Sequence, residues 1–361
     1  MILYLWALSG AKHDHRYKIT GLRPGVIHRP GIRSSVGNAS QVTVKRMEHR
    51  HSSTEKTVAA AMGTASSQFG MISWAQARAH GLRHHDIRRL RRSGAWGNPY
   101  PQVYSVRSLL APTNTDRWFR TAIMAAQLAL GPYSFAGGET AARLWGMQGL
   151  KPWDGRTVHM VIPALGSQRH IRGITLHSWY TAPEEVTTTE DGIRTTDPGR
   201  SLRDTHLHVD RNTAVCLMDS CLNQGLVTEE DVEILERRNR GRKGCVRVRN
   251  WWPLADGRAQ SPLETRVRLV CVDGGVPPSS LQHRFTDSSG RLIGIVDFWW
   301  EDRELIGEAD GIGPHSTPQA LAWDRERQNA LQLHYPNVRV VRFTWQDLSR
   351  PSYILAAIAG S

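Results

Sequence analysis

The chain has 361 residues, of which 40% are hydrophobic and 22% charged, a balance that excludes a disordered chain and suits two or three globular domains. Its formal net charge is +13 and its pI is near 10.1, so an anionic polymer is the first partner to expect. No apolar run approaches the ~18 residues of a membrane span, so we predict no membrane partner.

The charge is unevenly distributed along the chain. Residues 261–361 contain 10 arginines, no lysine and 12 acidic residues, a net charge of −2, which leaves +15 for residues 1–260. The four cysteines form no CxxC pair, which indicates reduced thiols of a cytoplasmic protein rather than a zinc site.

Residues 1–65 differ from the rest of the chain. They are rich in Gly, Pro, His and Arg and have no sustained hydrophobic period. We predict that this segment is disordered or is a non-native extension, because Met47, Met62 and Met71 are alternative starts. The apolar opening MILYLWALSGA lacks a basic segment and does not indicate a signal peptide.

Residues 66–107 predict a helix-turn-helix followed by a β-ribbon. The stretch ISWAQARAHG predicts a short helix with Ser73 as its N-cap. The stretch RHHDIRRLRRSG predicts a second, basic helix whose inner face carries Leu82, Ile87 and Leu90. The ribbon AWGNPYPQVYSV follows, and this order is typical of a DNA-binding winged helix-turn-helix.

The second of these helices is the predicted DNA-contact helix. Six arginines face one aspartate over residues 78–92, a density that suits phosphate neutralisation. Phosphate contacts position a protein without selecting a sequence, and a solvated basic helix is the alternative. The DNA-facing candidates are Arg83, His84, His85, Arg88, Arg89, Arg91 and Arg92.

Residues 108–250 predict a mixed α/β middle region with no recognisable chemistry. Helices are predicted over residues 116–130 and over AGGETAARLWGM, and strands over TVHMVIP and GITLHSW. One or two helices follow in SLRDTHLHVDRNTAVCLMDSCLNQG. Near the end, ERRNRGRKGCVRVRN is a second dense basic stretch.

Residues 251–361 predict a domain with the order αβββαβ. Its first helix begins at Pro262 with Ser261 as N-cap. The strands are LQHRFTD, RLIGIVDFWW and RELIGEADG, and the second helix is PQALAWDRERQNALQLH before a last strand, VRVVRFTW. The chain is therefore predicted to be a multidomain α/β (α+β) protein.

Three acids of the central hairpin are predicted to share one sheet face. A symmetric turn at Asp302–Arg303 places Asp297 opposite Glu308, with Cβ atoms about 4.5–5.5 Å apart, and makes Asp310 a diagonal neighbour. Opposed like charges destabilise a sheet unless a cation, a shared proton or water compensates them.

A divalent hard cation is the most economical compensation. Mg²⁺, or Mn²⁺ in its place, takes one or two carboxylates with water and phosphate oxygens, and it activates a phosphodiester for hydrolysis. The alternative is a solvated outer sheet face. That face also carries Ile293, Ile295, Trp299 and Ile306, however, so it is not simply polar.

Other residues of this domain are weaker candidates. Glu264 could cap its helix with Ser261 or serve as a further ligand. His315 could transfer a proton or contact phosphate, although a loop histidine is usually incidental. Arg342, inside a hydrophobic strand, needs the acids or a phosphate as partner. Asp324 and Arg327, one helical turn apart, predict a surface ion pair, with a place in the site as the alternative.

Residues 261–348 resemble a known family. The αβββαβ order with Glu264, Asp297 and Glu308-x-Asp310 is similar to the PD-(D/E)xK, restriction-endonuclease-like superfamily. VDFWW, IGEADG, DRERQNAL and VVRFTW resemble its Vsr-like endonuclease branch. The resemblance implies that Asp297 and Glu308 hold the metal, with Asp310 and His315 completing the site. The superfamily's lysine is replaced by Asp310, a departure shared with the Vsr-like branch.

Residues 71–106 resemble a second family. MISWAQARAHGLRHHDIRRLRRSGAWGNPYPQVYSV is similar to the winged helix-turn-helix of AbiEi-type antitoxins, and AGGETAARLWGM resembles the segment that follows it there. This resemblance implies duplex DNA as a partner. It also leaves a homodimer and a toxin partner open.

The sequence thus favours a cytoplasmic DNA-binding protein with a metal-dependent endonuclease domain. The alternative is a non-catalytic transcriptional regulator, or antitoxin-like protein, with a degenerate nuclease fold, which the missing lysine favours. An RNA-directed protein is less favoured because no RNP-like aromatic platform is visible in the sequence.

Overall fold

The computed structural model describes residues 55–162, 170–311 and 318–360, with side chains from residue 325 onward in the last range. These residues form a mixed α/β protein with three separate β-sheets and a helical layer around each. Among them, no helix combines the length and the apolar character that crossing a membrane requires.

The first domain contains the predicted helix-turn-helix and ribbon. The Ser73 side chain accepts from the backbone of Gln76, whose own side chain accepts from Ser73 N, so both ends of a capping box are present. Strand β3 pairs with β1 and β2 on either side. The elements are α1 (residues 55–66), β1 (Met71–Ser73), α2 (Trp74–Ala79), α3 (His84–Arg92), β2 (Trp96–Tyr100) and β3 (Val103–Val106).

Helix α1 corrects the predicted boundary at residue 65. Ala61 and Ala65, one turn apart, are fully buried in one core with Ile72 and Leu82. Small side chains at this spacing let a helix pack closely, and Val58 and Met62 add partly buried contacts to the same core. Helix α1 thus occupies residues 55–65 of the segment predicted to be disordered or non-native. Residues 1–54 of that segment lie outside the described part of the chain.

The middle domain is built on a five-stranded sheet with the order β6-β5-β4-β8-β7. The predicted strands and helices are confirmed, and the long helical stretch is two helices, α6 and α7. The elements are α4 (Thr115–Leu130), β4 (Phe135–Ala136), α5 (Gly138–Leu144), β5 (Val158–Val161), β6 (Ile174–His177), β7 (Val186–Thr188), β8 (Arg194–Thr196), α6 (Pro198–His206), α7 (Arg211–Asn223), α8 (Glu229–Asn239) and α9 (Cys245–Val248).

A buried ionic network fixes α6 in this domain. Arg200 Nε and Nη1 lie 2.7 Å from Asp204 and 2.5 Å from Glu185. Glu185 also accepts from Arg203 at 2.6 Å, and Asp204 pairs with Arg242 at 2.6 Å. Asp204 is fully buried, so its charge depends on these two guanidinium partners.

The C-terminal domain has the predicted αβββαβ order, followed by one further helix. Its sheet runs β12-β11-β10-β9, and β11 and β12 are parallel. The Ser261 side chain accepts from Glu264 N, so α10 begins as predicted. The elements are α10 (Pro262–Asp273), β9 (Ser280–Thr286), β10 (Leu292–Trp300), β11 (Leu305–Ala309), α11 (Pro318–His334), β12 (Arg339–Phe343) and α12 (Pro351–Ala359).

Helices cover both faces of this sheet. Leu263 of α10 and Ile358 of α12 pack with Phe298 and Phe343 on one face. On the other face, Leu331 of α11 packs with Ile306 of β11. The predicted acid-bearing face is therefore partly covered by α11 rather than open to solvent.

The middle and C-terminal domains share a packed joint. Trp252 lies in the core of the middle domain, so the boundary predicted at residue 251 falls several residues too early. Leu269 of α10 lies in the same core. Beside it, Arg268 Nη2 lies 2.8 Å from Asp219 Oδ2 of α7, and both side chains are buried. Thr265 donates to the same carboxylate oxygen at 2.8 Å.

Candidate functional site

The hairpin of β10 and β11 has the register predicted from the sequence. Phe298 pairs with Gly307, and Trp299 and Trp300 pair with Ile306 and Leu305. Continued by one residue, this register places Asp297 opposite Glu308, and alternation places both on the face away from Phe298. Asp297 Oδ2 accepts from Ala309 N at 2.8 Å, so its carboxylate lies against β11.

Gln282 connects two of the candidate acids. Its Nε2 lies 3.0 Å from Glu264 Oε2 and 3.0 Å from Asp297 Oδ1. The residue has a left-handed φ of 50°, which is uncommon outside glycine and is often found at functional sites. Glu264, Gln282 and Asp297 therefore form one hydrogen-bonded row across α10, β9 and β10.

Glu264 does more than cap its helix. Its carboxylate accepts from Gln260 N at 2.9 Å rather than from the N-cap residue Ser261, so the reciprocal half of the predicted capping box is absent from its described contacts. Glu264 is 6% exposed, and burial raises the pKa of its carboxyl, with Asp297 adding to the increase. This acid thus faces the cluster.

Arg327 of α11 faces Glu308. Its Nη1 lies 3.0 Å from Glu308 Oε1 and donates to the carbonyl of Ile295 at 2.9 Å. The predicted ion pair with Asp324 stays a prediction, because the Asp324 side chain lies outside the described residues. An arginine thus balances one of the two opposed acids.

Glu308 titrates near neutrality. Burial raises the pKa of its carboxyl to about 7, against the opposing effect of Arg327, and Asp297 raises it further. The side chain is 15% exposed. The guanidinium of Arg327 therefore does not fully offset the cost of burying the Glu308 carboxylate. A further positive charge nearby would stabilise the ionised form of Glu308.

Asp310 and Arg342 lie at the edge of the cluster. Arg342 is the parallel partner of Glu308 in β12, and its Nη1 lies 3.5 Å from Asp310 Oδ2. The Asp310 side chain is 51% exposed. Arg342 thus meets an acid, one of its two predicted partners. His315 lies outside the described residues.

The donor set suits a hard cation held by two carboxylates. Asp297 and Glu308 offer oxygen ligands, and Mg²⁺ usually binds through one or two carboxylates with water and substrate oxygens. In the described residues, no three or more His, Cys, Asp or Glu side chains converge on one metal position. The geometry thus fits Asp297 and Glu308 as ligands and gives no support to Asp310 as a third.

The candidate DNA-contact helix carries exposed basic side chains. All seven residues predicted to face DNA, from Arg83 to Arg92, are exposed on or beside α3. The inner face of α3 is held by Ile87, which is 4% exposed. The basic residues are therefore exposed while the apolar ones anchor the helix, and His85 and Arg89 also lie 3.3 and 3.9 Å from Asp86 Oδ1.

Two local contacts orient this helix. The His84 ring stacks on Trp74 of α2 with centroids 4.1 Å apart. Asp86 is buried, and its Oδ2 accepts from Arg83 N at 3.0 Å, which satisfies the first turn. His84 is thus partly engaged by α2, whereas Arg88 and Arg89 lie on the outer face.

The sequence analysis missed Gln282 and favoured a surface role for Arg327. Gln282 lies opposite Asp297, between the pairs Leu281–Phe298 and His283–Val296, so register arithmetic extended to β9 would have found it. Arg327 precedes the buried Leu331 by four residues, which places it on the sheet-facing side of α11. An arginine next to a core position was the available signal.

Comparisons with known proteins leave the class of protein open. The chain matches no protein-family model. It is similar to two uncharacterized proteins of Mycobacterium tuberculosis, MT2308 of strain CDC 1551 / Oshkosh and Rv2248 of strain ATCC 25618 / H37Rv. Each is 29% identical over 210 residues, which are 58% of this chain and 74% of the relative.

Proposed function

We propose that this protein binds duplex DNA and hydrolyses phosphodiester bonds with a divalent metal in its C-terminal domain. The observation that carries the proposal is the juxtaposition of Asp297 and Glu308 on adjacent strands, with the Glu308 pKa raised to about 7. Such a pair of carboxylates suits a metal-dependent nuclease better than a surface sheet, because α11 covers part of the face.

Each group has a distinct role. Mg²⁺ or Mn²⁺, when bound, would supply Lewis acidity and lower the pKa of a water molecule. Asp297 and Glu308 would hold it, and Gln282 orients Asp297 from β9. Arg342 lies beside the cluster and is suited to a phosphate oxygen.

Arg327 supplies a positive charge in a site that lacks the lysine of the restriction-endonuclease-like superfamily. Its guanidinium balances Glu308 from α11 rather than from β11. A guanidinium stays charged, so Arg327 contributes charge and hydrogen bonds but accepts no proton.

The basic front half would bring DNA to this acidic domain. Residues 1–260 carry +15 and residues 261–361 carry −2, so the substrate would be attracted by one part of the chain and cut at another. The exposed arginines of α3 would contact phosphates of the duplex. The four cysteines are free thiols, which supports a cytoplasmic location as part of this proposal.

The second candidate is a non-catalytic regulator or antitoxin-like DNA-binding protein. The Arg327–Glu308 ion pair favours it, because an arginine already supplies one opposing charge in the acid cluster. In that case the C-terminal domain would be a degenerate nuclease fold with a structural role.

A plasmid-nicking assay separates the two candidates. Supercoiled plasmid is incubated with the full chain and Mg²⁺ or Mn²⁺, beside Asp297→Ala, Glu308→Ala and the control Asp302→Ala. Asp302 is an acid of the same hairpin with a 69% exposed side chain. Nicking that needs metal and is lost only in the first two variants supports the enzyme. Retention of DNA without nicking by the wild type supports the regulator.

A further inference from the structure

Four aromatic side chains from three segments of the chain meet at one side of the middle domain. The His177 ring stacks on Trp179 with centroids 3.9 Å apart, and His159 Nδ1 lies 3.0 Å from His177 Nε2. His208, beyond α6, lies 5.5 Å from Trp179 with its ring plane inclined by only 13°. In this platform only His177 and Trp179 are close in the sequence, and the fold brings His159 and His208 to them.

The histidines of this platform are neutral at physiological pH. Burial lowers the pKa of His177 to about 4, with His159 and His208 contributing. Burial also lowers the pKa of His159 and of His208, although nearby carboxylates oppose the effect. The platform therefore offers flat, uncharged rings for stacking rather than cations for a phosphate.

Trp179 and His208 line an open cleft of about 520 Å³, and residues 242–244 form another part of its wall. Arg242 in that wall is committed to Asp204, but Lys243 is exposed and has no ion-pair partner among the described residues. The cleft thus joins an aromatic surface to a cation, in the size range of small-molecule sites.

Basic residues continue outward from Lys243. The stretch of residues 236–250 contains seven arginines or lysines against one glutamate. Those exposed are Arg237, Arg238, Arg240, Lys243, Arg247 and Arg249. A free nucleotide would need one or two of these cations, whereas a nucleic-acid strand would use a row of them.

We propose that this cleft binds an unpaired nucleotide of a nucleic-acid strand, with the base stacked on Trp179 and His208 and a phosphate on Lys243. Every base has a π-face, so stacking of this kind tolerates any sequence. The site is independent of α3 and would serve a strand that has left the duplex.

The test uses the full chain carrying Arg88→Glu and Arg89→Glu, so that α3 does not mask the second site. Binding of a fluorescein-labelled single-stranded DNA is measured by anisotropy for Trp179→Ala, Trp179→Phe and Lys243→Glu. Arg291→Glu, at a side chain 84% exposed in the C-terminal domain, is the charge-matched control. A thermal melt of each variant checks its folding.

Trp179→Ala and Lys243→Glu are expected to weaken binding by at least about five-fold, while Trp179→Phe and Arg291→Glu stay near the parent. Photo-crosslinking with an iododeoxyuridine-substituted strand is expected to label the peptide that contains Trp179 or His208. Unchanged binding by folded Lys243→Glu and Trp179→Ala would overturn the site. Unlabelled deoxyadenosine monophosphate and unlabelled strand are also compared as competitors at equal nucleotide concentration. Equal competition by the two would show that the cleft binds a free nucleotide rather than a strand.

Discussion

The Arg327 guanidinium lies 3.0 Å from Glu308 Oε1, so a cation from α11 faces an acid from β11. Because Arg327 opposes the effect of burial on Glu308, Arg327→Gln should raise the pKa of Glu308 further above 7. Carboxyl-carbon NMR titration of Glu308 measures this directly, and Arg327→Lys should restore most of the wild-type value. An unchanged pKa of Glu308 in Arg327→Gln would show that the ion pair does not affect the ionisation of Glu308.

Glu308 should make stability depend on pH. Its pKa is raised from 4.5 to about 7 on folding, so its contribution is present below pH 4.5 and is lost as the pH rises through 7. Glu308→Gln removes that loss and should raise the unfolding free energy at alkaline pH by roughly 1–3 kcal/mol. Urea unfolding of wild type and Glu308→Gln below pH 4.5 and above pH 7 measures this difference. Parallel dependence of the unfolding free energy on pH in the two proteins would contradict the raised pKa of Glu308.

A divalent cation should stabilise the folded chain through Asp297 and Glu308. Ligand linkage predicts about 1.4 kcal/mol at a metal concentration ten times the dissociation constant. Thermal melts with and without Mg²⁺ or Mn²⁺ at alkaline pH should show the shift in wild type and in Asp302→Ala. Asp297→Ala should abolish it. An equal shift in Asp297→Ala would place the bound ion elsewhere.

Charge reversal on α3 should remove retention of duplex DNA. Arg88 and Arg89 are exposed, and removing one phosphate-binding cation reduces the steepness of log affinity against log salt by about 0.9. Arg88→Glu with Arg89→Glu should therefore reduce that steepness by about 1.8 and also weaken the affinity. Arg172→Glu with Arg291→Glu, two exposed arginines on other domains, gives the same net charge and should retain DNA. Equal loss in both pairs would indicate a nonspecific charge effect.

The buried Asp219–Arg268 pair should be costly to break. Asp219→Ala leaves a buried guanidinium unpaired, and such changes typically cost about 3–5 kcal/mol. Asp219→Leu with Arg268→Met replaces both charges with apolar groups and should recover much of that loss. Urea unfolding of the single and double variants tests this; a harmless Asp219→Ala would mean that water reaches the joint.

Much of the architecture could be predicted from local patterns. Ser73 and Ser261 are N-caps as expected, because the capping hydroxyl and the apolar period after it are encoded within one turn. The register of Asp297 and Glu308 followed from the hairpin turn and strict alternation. These features depend on neighbours close in sequence, which is why sequence reasoning reached them.

Contacts between distant segments escaped prediction. Gln282 and Arg327 join the site through a third strand and a helix, so they could be found only by extending the register to β9 and by locating the buried face of α11. The stack of His177, Trp179 and His208 is assembled by the middle sheet and α6 in the same way. Helix α1 was missed because the Gly-, Pro-, His- and Arg-rich composition that precedes it was extended over its apolar residues Val58, Ala61, Met62 and Ala65.

The position of Leu269 limits where this chain can be divided. Its side chain belongs to the middle domain's core although its helix carries Glu264 near the first turn. A fragment ending before Ser261 would leave a leucine-sized cavity, and a fragment starting there would expose the same leucine to water. We therefore expect a fragment that ends before Ser261, or one that starts there, to aggregate when it is expressed alone. Shorter versions of this protein should keep α7 and α10 together.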